Sequence, residues 1–120
     1  MFTEICSRRD ISNPSKFRRL KRFAVQAKVS GLVKTGKPGV AVFEGDKESI
    51  KVFLENARGL RYLDFHHVAT KPVVNSVEKR VADAQIGLHE VEDMNELVNL
   101  LDNIGEKEWF RKEIGMSRGQ

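Results

Sequence analysis

The stretch Gly36-Lys37-Pro38-Gly39-Val40-Ala41-Val42-Phe43-Glu44-Gly45 reads as a tight turn, a five-residue strand and a second turn. Gly36, Pro38 and Gly39 supply the backbone angles that a reversal needs, and Val40, Val42 and Phe43 suit a pleated surface. An amphipathic pattern of helical period lies on each side of it. The stretch is therefore expected to be an interior strand of a sheet with helices packed on one face.

Working outward, Phe2–Ser7 alternates as a short first strand, and Arg8–Ser12 is a polar loop. Asn13 followed by Pro14 has the form of a helix start, a capping side chain before a proline whose missing N–H costs nothing there. The helix is expected to run to about Val29. At 100° per residue Phe17, Leu20, Phe23, Ala24 and Ala27 share one face, and Arg18, Arg19, Arg22 and Gln26 lie opposite, with Lys21 and Lys28 flanking. Ser30-Gly31 ends this helix, Leu32 and Val33 begin a second strand, and residues 35–39 turn it into the strand quoted above, making a hairpin.

Gly45-Asp46 supplies a turn and a cap for a second helix, whose Ile50, Phe53, Leu54 and Ala57 share a face before Gly59. Tyr62–Val68 is expected to be a fourth strand with Leu63 and Phe65 on one side and His66 on the other. The order β-α-β-β-α-β predicts an α+β, ferredoxin-like fold built on an antiparallel sheet. Residues 69–80 read as a loop, and an additional C-terminal strand is expected around Ala84–Leu88. Asp93 and Glu96 have capping-box spacing ahead of Met94, Leu97, Val98, Leu101 and Ile104, a third helix stopped at Gly105. Glu106–Ile114 is a short fourth helix with Trp109, Phe110 and Ile114 as its apolar edge. The expected organisation is one domain over 1–120, with a core of 1–70, an extension of 81–114 and a frayed tail of 115–120.

Of the 120 residues, 40% are hydrophobic, enough for one modest core. The lone Cys6 excludes an intramolecular disulfide and a multi-cysteine zinc site, which suits a reducing, intracellular compartment, nuclear or cytoplasmic. No apolar run approaches the roughly 18 residues of a membrane span, and no signal-peptide layout is seen at Met1. Asn13-Pro14-Ser15 has proline in the forbidden place of a glycosylation acceptor.

The formal charge of +4 conceals a division. Residues 1–38 carry ten Lys or Arg against Glu4 and Asp10, a balance of +8, while residues 39–120 carry eleven against fifteen, a balance of −4. An acidic partner met by the first third of the chain is the functional reading, and a solvated helix face is the bland one.

Several segments together resemble a known domain family. They are Ser12-Asn13-Pro14-Ser15-Lys16-Phe17 before a basic helix, Ser30-Gly31, Gly36-Lys37-Pro38-Gly39-Val40 leading to Val42-Phe43-Glu44-Gly45, Leu60-Arg61-Tyr62, and Asn103-Ile104-Gly105 before Trp109-Phe110. The family comprises the C-terminal domain of the spliceosomal tri-snRNP pre-mRNA-processing factor three and that of a group of RWD-domain-containing proteins. The Ser-Asn-Pro segment is nearer the splicing branch and the Gly-Lys-Pro-Gly hairpin nearer the RWD-linked branch. The resemblance implies a ferredoxin-like fold with C-terminal additions and, from the splicing branch alone, binding of small nuclear RNA where duplex meets single strand. The 120 residues contain neither an RWD domain nor the long N-terminal region of the splicing protein.

For an RNA ligand, cations meet phosphates and aromatic or planar groups meet bases. The candidates are Arg8 and Arg9 in the loop, Lys16, Arg18, Arg19 and Arg22 on the first helix, and Lys34 and Lys37 on the hairpin. If Val40, Val42, Leu63 and Phe65 face the helices, Phe43 and His66 project from an open side of the sheet. The alternative is that the C-terminal helices cover that side and bury Phe43. Catalytic readings are poorer. An acylphosphatase cradle needs a glycine that residues 8–12 lack, Cys6 with His66 or His67 has no third group, and His66, His67 and His89 lack metal-ligand spacing. The expectation is a monomeric, non-catalytic domain that binds RNA, single-stranded or at a duplex junction, without metal or cofactor, possessing ribonucleoprotein partners and no membrane contact. The rival is a protein-interaction adaptor using an apolar surface around Trp109 and Phe110.

Overall fold

In the computed structural model, which describes residues 2–8, 14–36, 39–58, 66–72 and 80–115, the chain follows the expected order. The elements are β1 (Phe2–Arg8), α1 (Pro14–Ala27), β2 (Ser30–Lys34), β3 (Gly39–Gly45), α2 (Lys47–Arg58), β4 (His66–Pro72), β5 (Gly87–Val91), α3 (Met94–Asn103) and α4 (Lys107–Glu113). A 3₁₀ turn, Val81–Ala84, precedes β5. The sheet runs β4-β1-β3-β2-β5, and all its pairings are antiparallel except that β5 runs parallel to β2. The first four strands have the β4-β1-β3-β2 order of a ferredoxin-like α+β fold, with β5 as the added strand.

The quoted stretch is the middle of this sheet. β3 pairs with β1 on one edge and β2 on the other, and every one of its residues is buried. Its alternation sorts two cores. Ala41 and Phe43 face α1 and α2 with Cys6, Leu20, Ala24, Val33, Phe53 and Ala57, while Val40 and Val42 face α3 and α4 with Ile5, Leu97, Leu101 and Phe110. Helices therefore cover both faces of the sheet, not one face as expected. The molecule is a three-layer stack.

Phe43 fits because Gly31 stands beside it. A Cβ on Gly31 would lie 2.7 Å from the Phe43 Cβ and 2.8 Å from Leu88 Cδ2, so a side chain there has no space. The Phe43 ring meets Phe53 edge-on, with centroids 5.0 Å apart.

The ends of the helices depart slightly from expectation for local reasons. α1 stops at Ala27, short of Val29, because Lys28 takes the left-handed conformation (φ 61°). Lys28 N–H then donates to Val25 O (3.2 Å) and Val29 N–H to Ala24 O (2.9 Å), a Schellman stop. α3 ends the same way at Gly105 (φ 78°). At its start, Asp93 accepts from the Glu96 N–H at 2.8 Å as the capping spacing implies, while Glu96 Oε1 accepts from the N–H of Glu92, one residue before the cap, at 2.6 Å. Asp46 caps α2 by accepting from the Ser49 N–H at 2.9 Å, and that bond holds its carboxyl below its usual range.

Two strands lie later in the chain than expected. β4 is His66–Pro72 rather than 62–68, and residues 69–72 belong to it rather than to a loop. Pro72 is tolerated because β4 is an outer strand, where a missing N–H breaks no ladder. Tyr62, Leu63 and Phe65 fall outside the described residues. The strand expected around Ala84–Leu88 is β5 at 87–91, since Val81–Ala84 forms the 3₁₀ turn and Gly87 (φ 105°) redirects the chain while donating to Val29 O at 2.7 Å.

One buried ion pair fixes that turn. Glu44, 2% exposed, accepts from Arg80 Nε and, through Oε1, from the Val81 N–H at 2.7 Å. It ties the centre of the sheet to the segment leading into β5. Glu44→Gln removes the buried charge that meets the Arg80 guanidinium and the Val81 N–H, and the expected loss is about 3 kcal/mol in urea unfolding. Phe43→Ala opens a cavity between β3 and α2, with an expected loss of about 3–5 kcal/mol in the same measurement.

Candidate nucleic-acid interface

α1 reads Pro-Ser-Lys-Phe-Arg-Arg-Leu-Lys-Arg-Phe-Ala-Val-Gln-Ala, with five cations and no carboxylate. Its inner side is fixed by apolar spacing: Leu20, Ala24 and Ala27 are buried, and Phe17 and Phe23 are half-buried against the same core. That packing turns Arg18, Arg19, Lys21, Arg22, Val25 and Gln26 outward, and all six are exposed. Arg18 and Arg22, one turn apart, form the crest. Arg19 lies on one flank and Lys21 on the other, its ammonium 4.8 Å from the Phe17 ring centroid. Exposed Lys28 extends the Lys21 flank past the helix end.

Among the described residues no carboxylate pairs with Arg18, Arg19, Lys21, Arg22 or Lys28, whereas Lys71 pairs with Glu106 and Arg80 with Glu44. No described carboxylate in contact with α1 offsets its charge. Arg18, Arg19 and Arg22 are brought together as the helical projection implies.

The other candidates divide. The backbone of Arg8 ends β1 opposite Gly39, that of Lys16 lies in the first turn of α1, and that of His66 opens β4 opposite Ser7. The side chains of these three, and Arg9 and Lys37 altogether, lie outside the described residues. Lys34 is half-buried on β2, and its Nζ donates to the Thr35 carbonyl at 3.1 Å. It belongs to the hairpin and not to the α1 face.

Phe43 is not a stacking surface. It is 1% exposed, and it points at α1 and α2 instead of away from them, because Val40 and Val42 take the opposite face. The side of the sheet expected to be open is covered by α3 and α4. The two residues at the centre of the expected apolar surface, Trp109 and Phe110, differ in burial. Phe110 is fully buried, and Trp109 is half-buried with the Lys71 ammonium 5.3 Å from its ring, where Lys71 also meets Glu106 at 2.8 Å. Cys6 is a core residue at 1% exposure. Among the described residues no group of His, Cys, Asp and Glu has the arrangement of a metal site, and no helix is long and apolar enough to cross a membrane.

Sequence reasoning placed Lys21 and Lys28 beside the stripe without choosing them, although the same projection marks them as its second flank. The Lys71–Trp109–Glu106 group had no signal, since its members come together only when β4 packs beside the C-terminal helices.

No family model matches the chain, and no curated protein does. Solved structures match in fold. A bacterial light-regulated adenylyl cyclase is similar over 93% of this chain at 11% identity and a TM-score of 0.56, and this chain spans about a third (35%) of its length. BlsA in its photo-activated state is similar over 91% of this chain and 82% of its own, at 14% identity and a TM-score of 0.50. An acylphosphatase from Bacillus subtilis overlays more loosely, over 76% of this chain at 17% identity and a TM-score of 0.48. At such identities the likeness is one of architecture.

Because the outward cations of α1 touch no described carboxylate, the triple variant Arg18→Glu, Arg19→Glu and Arg22→Glu is expected to fold, with each substitution changing stability by no more than about 0.5 kcal/mol. Urea unfolding and circular dichroism check this.

Proposed function

We propose that this chain is a non-catalytic RNA-binding domain that holds its ligand mainly through phosphate contacts to the outer face of α1. The observation that carries the reading is a helix without a carboxylate whose Arg18, Arg19, Lys21 and Arg22 are exposed together, none of them paired among the described residues. Phosphate oxygens are the acceptors such a face fits, and guanidinium groups meet them in bidentate fashion. The acidic balance of residues 39–120 supports the reading further, since it repels a polyanion from other surfaces and favours approach to α1.

The resemblance to the splicing-factor domain agrees with this reading and points to a small nuclear or other structured RNA, with an intracellular, nuclear or cytoplasmic, site of action. The domain works as a monomer in this account and needs no metal or cofactor. Base stacking by Phe43 is not part of it.

The test is fluorescence anisotropy with a short structured RNA at about 50 mM salt, followed by a salt series. With about five phosphates neutralised, log K is expected to fall by roughly 3.5–4.5 per tenfold rise in salt. The Arg18→Glu, Arg19→Glu, Arg22→Glu variant is expected to lose binding while remaining folded, and Arg22→Gln alone to reduce the salt slope by about one. Absence of wild-type binding at low salt, or unchanged binding by the folded triple variant, overturns the proposal.

A further inference from the structure

The geometry points to the double-helical part of an RNA as the ligand of α1, met through the phosphates on both sides of a shallow groove and without base stacking. This inference rests on the RNA reading above and specifies its substrate class.

The first support is the distribution of charge around the helix. Two residues apart, Arg19 and Lys21 lie about 160° from one another around the axis, with the Arg18–Arg22 crest between them. A lone phosphodiester strand running along a helix about 10–12 Å wide meets one side of it. Cations on the crest and on both flanks fit two strands.

The second is that no aromatic side chain among the described residues stands exposed as a platform for unpaired bases. Recognition of single strands depends on aromatic faces that bases can stack on. Among the described residues Phe43, Phe53 and Phe110 are buried, Phe2, Phe17 and Phe23 are half-buried against the core, Trp109 lies under the Lys71 ammonium, and the exposed large hydrophobic side chains are the aliphatic Val25, Val52 and Ile86. Both faces of the sheet are occupied by helices.

The third is depth. α1 lies flat on the sheet with its apolar face in the core it shares with α2, so only its outer side is available. The major groove of B-form DNA is about 8.5 Å deep and calls for a projecting helix. The minor groove of A-form RNA is wide and shallow and presents phosphates and 2′-hydroxyls. The exposed amide of Gln26, on the same outer side, is a suitable partner for a 2′-hydroxyl.

The experiment compares three probes by anisotropy at matched low salt: an RNA duplex of about 16 base pairs, one of its strands chosen to be unstructured, and a DNA duplex of the same sequence. The RNA duplex is expected to bind at least about tenfold more tightly than either of the others. Arg19→Gln and Lys21→Gln, one on each flank, are each expected to weaken duplex binding at least threefold and to alter single-strand binding less. Equal or tighter binding of the single strand or of the DNA duplex overturns this inference and leaves the RNA reading standing. So does insensitivity of duplex binding to either flank substitution. Failure of every RNA to bind overturns both.

Discussion

Phe43 lies in the space that Gly31 leaves, at the point where β3 touches β2, and the rest of the architecture follows from that contact. With Phe43 directed at α1 and α2, Ala41 must face the same way, and Val40, Val42 and Glu44 must face the opposite layer. A strand with apolar side chains on both sides needs cover on both sides, and the C-terminal helices provide it. Glu44 is the polar exception in that run, and its bonds to Arg80 and Val81 make the exception a joint between the sheet and the turn before β5.

The cover has a chemical consequence. A ferredoxin-like sheet with one bare face offers bases a surface to stack on, whereas this sheet has none among its described residues. What remains outward is helix, and the layers differ in charge. α1 is cationic without exception, while residues 92–113, which form α3, α4 and their junction, carry seven carboxylates against three cations. The imbalance between the two parts of the sequence becomes an imbalance between opposite sides of the molecule.

Much of this was legible in the residues. The hairpin was announced by Gly36, Pro38 and Gly39, α1 by its 3.6-residue period, and α3 by the spacing of Asp93 and Glu96, because each of these signals is local. The parity of β3 was not legible. Val40-Ala41-Val42-Phe43 is a continuous apolar run, so alternation does not mark which side is which, and only the contacts with Gly31 and Phe53 decide it. β4 was misplaced because Pro72 and its polar neighbours look like loop residues, and only its position at the margin of the sheet makes them acceptable. The cationic face of α1 could be read from periodicity, but the lack of a paired carboxylate there among the described residues depends on where the acidic helices pack.

The place of β1 has a consequence for how the chain matures. β1 precedes the other strands of this sheet in the sequence, yet it lies between β3 and β4, so one of its neighbours is not made until residues 66–72 emerge. Until then one row of its backbone donors and acceptors has only water, or a strand from another molecule, to bond with. Between translation of β1 and arrival of β4, that row of backbone groups is therefore a site open to mispairing.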